Sequence, residues 1–257
     1  MSVLDSIIEG VREDLAMRRL PLAQIREALE SAPAVRNVGA AFTGSEISII
    51  AEVKRSSPSK GALAPIEDPG GLASRYEESG ANVISVLTER RRFGGSLDDL
   101  DAVRARVDLP ILRKDFMVDE YQFLEARAHG ADLVLLIVAA LSKNQLDDYH
   151  QLAKELGMSS LIEVHTHDEL ERALEISPEI IGVNSRNLKT LDVDSAAFAQ
   201  LIPRIPTSMV RVAESGISSR SDVEFAQEHG ATAILVGETL VRSADPELAM
   251  RELRGHR

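Results

Sequence analysis

Eight short apolar runs punctuate the chain, and almost every one ends in a polar or charged residue. They fall at 49–54 (IIAEVK), 83–88 (VISVLT), 110–114 (PILRK), 132–138 (DLVLLIV), 160–164 (SLIEV), 180–184 (IIGVN), 210–214 (VRVAE) and 233–237 (AILVG). Their ends lie roughly 20 to 34 residues apart, the room needed for one crossover helix and two loops. Helical spacing fills the gaps, around 71–79, 97–106, 120–129, 143–156, 168–175, 195–201, 221–229 and 246–253. Several of these segments close on a glycine (Gly80, Gly130, Gly157, Gly230), where a left-handed cap is expected. Three of those glycines lead straight through Ala81, Ala131 or Ala231 into the next strand, a weak internal repeat of the βαβ unit. The pattern predicts a (β/α)8 TIM barrel. Apolar positions at Val3, Leu4, Ile7, Ile8, Val11 and Leu15 predict a helix before it, and Pro21 opens a second at about 22–29. The expected organisation is a single domain over 1–257, with an N-terminal helical extension and linker at 1–45 and the barrel at 46–257.

Composition narrows the class. A length of 257 residues is typical of one such barrel. No run of eighteen apolar residues exists, and the acidic N-terminus lacks a secretory layout. We therefore expect no membrane and a cytoplasmic location, with which the absence of cysteine agrees. That absence also removes disulfides, thiolate nucleophiles and thiolate metal sites. A net charge of −12 argues against a nucleic-acid surface. Local basic clusters remain, at Lys54, Arg55 and Lys60, at Arg90–Arg92, and at Arg113 and Lys114. A run such as Arg90–Arg92 is slightly more often a solvated loop than a ligand contact, whereas lysines at strand ends are harder to dismiss.

Strand alternation places the chemistry. In the first strand Glu52 and Lys54 share one side while Ala51 and Val53 take the other. The apolar pair suits the helix layer, which leaves the charged pair facing the barrel interior near its rim. By the same parity Lys114 lies inward with Leu112, and Glu163 lies inward between Ile162 and Val164. Asn184 and Glu214 end the sixth and seventh strands. Two lysines and three carboxylates in a narrow cavity perturb one another's protonation, which is how a site obtains an acid and a base near neutral pH. A structural ion-pair cluster is the duller reading, but so many rim charges seldom serve stability alone. The polar stretch SSPSKG (56–61) reads as a long mobile loop over the site. Gly216 and Gly237 follow the last two strands, where this fold commonly builds a phosphate site from backbone N–H groups. Glu238 beside it is awkward for an anion unless its side chain points away. His165 and His167 have no third metal ligand in sight and read as loop residues or a helix start capped by Thr166 or Asp168. No Gly-rich nucleotide loop is present.

Taken together, seven segments resemble the indole-3-glycerol phosphate synthase family of tryptophan biosynthesis. They are IIAEVKRSSPSKG (49–61), SVLTERRRFGGS (85–96), PILRKDFMVDEYQ (110–122), LIEVHT (161–166), IGVNSRNLKTLDVD (181–194), RVAESGI (211–217) and ILVGETLV (234–241). VLDSIIEGVRED, near the N-terminus, is similar to the family's extra helix over the barrel top. The resemblance implies a carbon-carbon lyase that converts 1-(2-carboxyphenylamino)-1-deoxyribulose 5-phosphate into indole-3-glycerol phosphate, carbon dioxide and water, with no cofactor and no metal. It implies Lys114 as principal acid, Glu163 as acid/base for dehydration and Lys54 as second catalytic lysine. Glu52 and Asn184 would position the reacting groups, and Glu214 would hold the site and its hydroxyl contacts. Ser57, Ser215, Gly216, Gly237 and Glu238 match the phosphate side. Phe93, Phe116, Pro58, Leu135 and Leu188 match the apolar pocket for the anthranilate ring, with Arg186 beside it for the carboxylate. The two lysines could exchange roles. Two departures stand out: Arg92-Phe93 replaces the family's common Phe-Phe, and Glu238 replaces a frequent serine. The partner implied is a phosphorylated small molecule, bound by a monomer, with association with other tryptophan-pathway enzymes left open. A sister isomerase is disfavoured because its usual form relies on a cysteine base. A Schiff-base aldolase and a barrel that only binds phosphosugars remain as alternatives.

Overall fold

The computed structural model describes residues 2–255. Eight parallel strands close into a barrel: β1 Ser48–Val53, β2 Val83–Leu87, β3 Ile111–Lys114, β4 Leu133–Ile137, β5 Ser159–Val164, β6 Ile180–Asn184, β7 Val210–Glu214 and β8 Ala233–Val236. Each strand pairs with its sequence neighbours, and β1 pairs with both β2 and β8. Every expected strand is present to within one or two residues.

Period-two alternation divides the apolar residues into two cores. Ile49, Ala51, Val53, Ile84, Val86, Val134, Leu136, Ile162 and Val164 point outward and pack under the helices. Ile50, Val83, Leu112, Leu133, Leu135, Leu161, Ile180, Val212 and Leu235 point inward and fill the barrel. The inward set gives way to charged residues only at the C-terminal ends of the strands. This layered filling makes the lower barrel a packed core rather than a channel.

Helices α1 Val3–Arg18 and α2 Leu22–Ser31 precede the barrel, and α3 Pro69–Glu78, α4 Leu97–Arg104, α5 Tyr121–Ala128, α6 Lys143–Glu155, α7 His167–Glu175, α8 Ala196–Leu201 and α9 Arg220–Glu228 follow β1 to β7 in turn. After β8 come α10 Glu238–Arg242, a short helix that the periodicity did not reveal, and α11 Pro246–Arg254. Local chemistry sets their starts. Ser142 and Ser219 form capping boxes with Gln145 and Asp222, Thr166 caps α7, and Asp68-Pro69 and Asp245-Pro246 place proline at the first helical position. Such caps stabilise a helix by about 1 kcal/mol each. At Gly130 the chain leaves α5 with φ 78°, and Ala131 N–H returns to Ala126 O at 3.0 Å. Only glycine takes that conformation without strain.

The N-terminal extension runs from one end of the barrel to the other. Leu4, Ile7 and Val11 of α1 join the inner core at the C-terminal mouth. The α2 helix packs against α5, with Leu15, Ile25 and Tyr121 forming a small core of their own. A short 3-10 turn at Gly39–Phe42 then meets the opposite mouth, where Asn82 Nδ2 donates to Ala41 O at 3.1 Å.

The loop after β1 is more ordered than its composition suggested. Ser56–Ser57 and Gly61–Ala62 form a small antiparallel ladder, and Ser56 Oγ donates to Arg92 O at 2.9 Å. The basic stretch after β2 is exposed, as a solvated loop would be, and two of its arginines turn onto α1 rather than into the cavity. Arg91 pairs with Glu13 at 2.7 Å and Asp14 at 2.6 Å on α1, and Arg92 donates to Ser6 Oγ at 2.9 Å. Glu89 organises that loop by accepting N–H groups from Arg91, Arg92 and Phe93. No helix among the described residues is long and apolar enough to cross a membrane.

Candidate active site

At the C-terminal mouth, inward residues from five strands meet as two ion-paired groups. Lys54 Nζ lies 2.6 Å from Glu52 Oε1, whose other oxygen accepts from Ser85 Oγ at 3.4 Å. Lys114 Nζ donates to Glu214 Oε2 at 2.5 Å and to Glu163 Oε2 at 3.2 Å. Glu52, Glu163 and Glu214 are each at most 3% exposed, so these charges interact through protein more than through water.

Burial alone would push the Lys114 ammonium down, but the Glu214, Glu163 and Glu52 carboxylates outweigh it and hold it well above the usual lysine range. Burial would likewise raise Glu163, yet Lys114 and His165 hold its carboxyl well below the ordinary value. Glu214 goes the other way. Burial and the neighbouring Glu163 outweigh Lys114 and push it up to about 7. Two carboxylates share one ammonium, so the set titrates as a unit with a proton available near neutral pH. Glu214 Oε1 is buried over Gly182 and has no hydrogen-bond partner among the described residues.

Small residues make this packing possible. A Cβ on Gly182 would lie 1.9 Å from Glu214 Oε1, and one on Gly237 would lie 2.5 Å from Glu52 Oε1. The strands therefore carry glycine where a neighbour's carboxylate has to cross.

All seventeen residues singled out above line one cavity of about 1110 Å³, open mouth included. Phe93 and Phe116 form its aromatic wall, with ring centroids 6.1 Å apart, and Pro58, Leu135 and Leu188 extend the apolar side. Arg186 reaches in from the β6–α8 loop and donates to Leu191 O at 3.0 Å, while Asn184 Oδ1 accepts from Arg186 N–H. Ser215 (φ 67°) and Gly216 (φ 73°) turn sharply after β7 opposite Gly237, which opens α10. Ser57 Oγ borders the same end and accepts from Lys60 N–H at 3.3 Å.

Comparison with known proteins fixes the lineage. The family model for indole-3-glycerol phosphate synthase matches residues 4–253. The chain belongs to the indole-3-glycerol phosphate synthase family. It is 56% identical over 255 residues to indole-3-glycerol phosphate synthase 1 of Streptomyces coelicolor, covering 98% of this chain and 95% of that protein. It is 57% identical over 261 residues to the indole-3-glycerol phosphate synthase of Micrococcus luteus, covering 99% and 97%. Among solved structures, a 3-hexulose-6-phosphate synthase superposes with a TM-score of 0.65 at 18% identity, over 82% of this chain and 98% of that one. That likeness concerns the barrel alone.

Both departures from the indole-3-glycerol phosphate synthase pattern have a structural place. Arg92 turns out of the cavity onto α1, leaving Phe93 to pair with Phe116. Glu238 turns its carboxylate along α10 to Arg242, 3.3 Å away, so only its backbone N–H remains for an anion. The cavity also has members that alternation did not reveal: Val3, Leu4 and Ile7 of α1 form its roof, and Ser59 its lip. Helical spacing marked α1 as amphipathic, and the family resemblance implied the barrel top as the surface it covers. His165 lies in the turn between β5 and α7, as expected, and its half-buried ring packs beside Glu163. The signal was available, because β5 parity carried one step past Val164 turns His165 inward. His167 stays at the surface, near Asp168, Glu171 and Arg204.

Proposed function

We propose that this family member closes the indole ring of 1-(2-carboxyphenylamino)-1-deoxyribulose 5-phosphate and releases indole-3-glycerol phosphate, carbon dioxide and water. The observation that carries the reading is Lys114, a charged ammonium set between two buried carboxylates in a cavity with one apolar wall and one end rich in backbone N–H groups. The substrate has matching parts: an aromatic ring for Phe93, Phe116, Pro58, Leu135 and Leu188, and a phosphate for Ser57, Ser215, Gly216, Gly237 and the Glu238 N–H. Arg186 meets the ring carboxylate until it departs.

The steps follow from that pose. The ring carbon bearing the carboxylate attacks the ketone carbon, and Lys114 delivers a proton to the ketone oxygen as the bond forms. Entry of the ketone between Lys114 and its carboxylates removes the contacts that hold its proton so tightly, which brings the ammonium toward acid strength. The carbon–carboxylate bond then breaks, its electron pair restores the aromatic ring and carbon dioxide leaves. Finally the new hydroxyl departs as water while Glu163, aided by Lys54, moves the protons of dehydration. Glu52 and Asn184 hold these groups in place, and Glu214 accepts a substrate hydroxyl. The same geometry supports Lys114 over Lys54 as the principal acid: Lys114 faces two carboxylates, while Lys54 faces Glu52. An imine-forming role for Lys114 is disfavoured, because an amine held as its ammonium is not a nucleophile.

The reaction calls on no metal or cofactor, and we place the enzyme as a cytoplasmic monomer whose partner is its substrate. A fluorescence assay for indole formation, run with chelator, tests the reading. Lys114→Ala is expected to lower kcat by about 100- to 10,000-fold with a much smaller change in KM, since the acid acts mainly in the transition state. Undiminished kcat in that variant would remove Lys114 from the chemistry.

A further inference from the structure

Glu163 has a second neighbour that the reaction scheme does not use. His165, two residues on and only 9% exposed at its side chain, turns back so that Nε2 lies 3.4 Å from Glu163 Oε1. That is an electrostatic contact rather than a well-aligned hydrogen bond. The other ring nitrogen, Nδ1, lies 3.1 Å from Glu169 Oε2 on α7, and the same oxygen accepts the His165 backbone N–H at 2.7 Å. His165 does not line the cavity. A glutamate thus anchors the ring from behind, and the ring presents its far nitrogen to the glutamate that does.

We propose that His165 is a positioning residue, clamped by Glu169, that supplies the second positive partner of Glu163 and aims its carboxylate at the substrate. The inference rests on the reaction above and on the part Glu163 plays in it. The logic is one of charge during turnover. While the cavity is empty, Lys114 and His165 flank Glu163 on either side. Once Lys114 turns to the ketone and gives up its proton, Glu163 loses that partner at the point where it has to accept a proton as a base. His165 remains. The charged groups around the ring are few: Glu163 at the end of β5, Glu169 on α7 and, beyond Glu163, Lys114 from β3 and Glu214 from β7. Burial disfavours the imidazolium, yet Glu163 and Glu169 outweigh it and raise the ring to about 10, so it stays charged throughout the working range.

Two variants test this. His165→Gln keeps a donor of similar reach without the charge, and Glu169→Gln leaves the histidine but frees it. In both, the acidic limb of the kcat profile is expected to move up by about one pH unit, so that kcat at pH values below the wild-type limb falls about tenfold while kcat near pH 8 stays within about threefold. KM should change little. A purely structural role would lower kcat equally at all pH values or leave the limb in place, and either result overturns the proposal. An independent reading comes from histidine ¹⁵N shifts in the wild-type protein, with the His165 signal identified by its loss in His165→Gln. The ring should be doubly protonated at pH 8 and become neutral there in Glu163→Gln; a neutral wild-type ring refutes the idea even if His165→Gln misfolds. If the wild-type protein showed no turnover at all, the proposed reaction would fall, while the shifts would still decide whether His165 is the charged partner of Glu163.

Discussion

A single missing side chain governs the reach of Glu214. Gly182 sits opposite Glu163 in the β5–β6 register, and Glu214 crosses the space its Cβ would occupy. Gly182→Ala should displace Glu214 from Lys114. A shift of about 1 Å at such a contact costs about 100-fold in kcat, with little loss of stability because the obstacle is the far end of a flexible side chain. Gly44→Ala, which meets nothing within 4 Å, serves as the control; equal kcat in the two variants would refute the argument. At this scale the sequence was readable where one strand's alternation settles a direction, as for Lys54, Lys114, Glu163 and Glu214. It was unreadable where the reason lies on another strand. Nothing in IIGVN announces that Gly182 makes room for a carboxylate thirty-two positions later, and the approach of the His165 ring to Glu163 went unread because parity was not followed beyond the strand.

Among the elements, α1 roofs the barrel top as the family resemblance implied, by ties that its own pattern does not state. Its apolar stripe fixed its existence and extent, but its position depends on polar partners that the spacing does not reveal. Arg91 lies across Gly10, where a Cβ would come within 3.1 Å of it, and grips Glu13 and Asp14. Arg92 and Ser6 add a second tie. These loop arginines therefore hold the roof of the cavity, which explains both their charge and their aim away from the ligand. Exposed ion pairs are weak and sensitive to salt. Arg91→Ala should raise KM several-fold with kcat nearly unchanged, and moderate salt should raise KM in the wild type more than in the variant. A KM that ignores both the substitution and the salt would separate α1 from substrate binding. The hairpin after β1 and the helix α10 were likewise hidden, because elements of two to five residues are too short for any periodicity to show.

Across the whole molecule, function and stability occupy opposite ends of the barrel. Charged inward residues gather at the C-terminal mouth, and the lower barrel is apolar and close-packed. Leu133→Ala, low on β4 and fully buried, should cost about 2–5 kcal/mol of stability by cavity formation, measured by urea unfolding. Below its melting temperature the folded variant should retain wild-type kcat, and a proportionate loss of kcat would mean that the two ends are coupled. The barrel was legible from eight repeats of one pattern, whereas the extension's path from mouth to mouth depends on contacts far apart in the chain. One of those contacts has an asymmetry. Glu125 of α5 is shared between Arg18 of α1 at 2.9 Å and Arg113 of β3 at 2.8 Å. Arg113 is wholly enclosed, and Arg18 is a third exposed. Were α1 to lift, Arg18 would pass into water and Glu125 would keep Arg113, so the enclosed guanidinium would not be stranded. Parting the roof from its seat would therefore take from Glu125 one of its two cations and leave the enclosed Arg113 still paired.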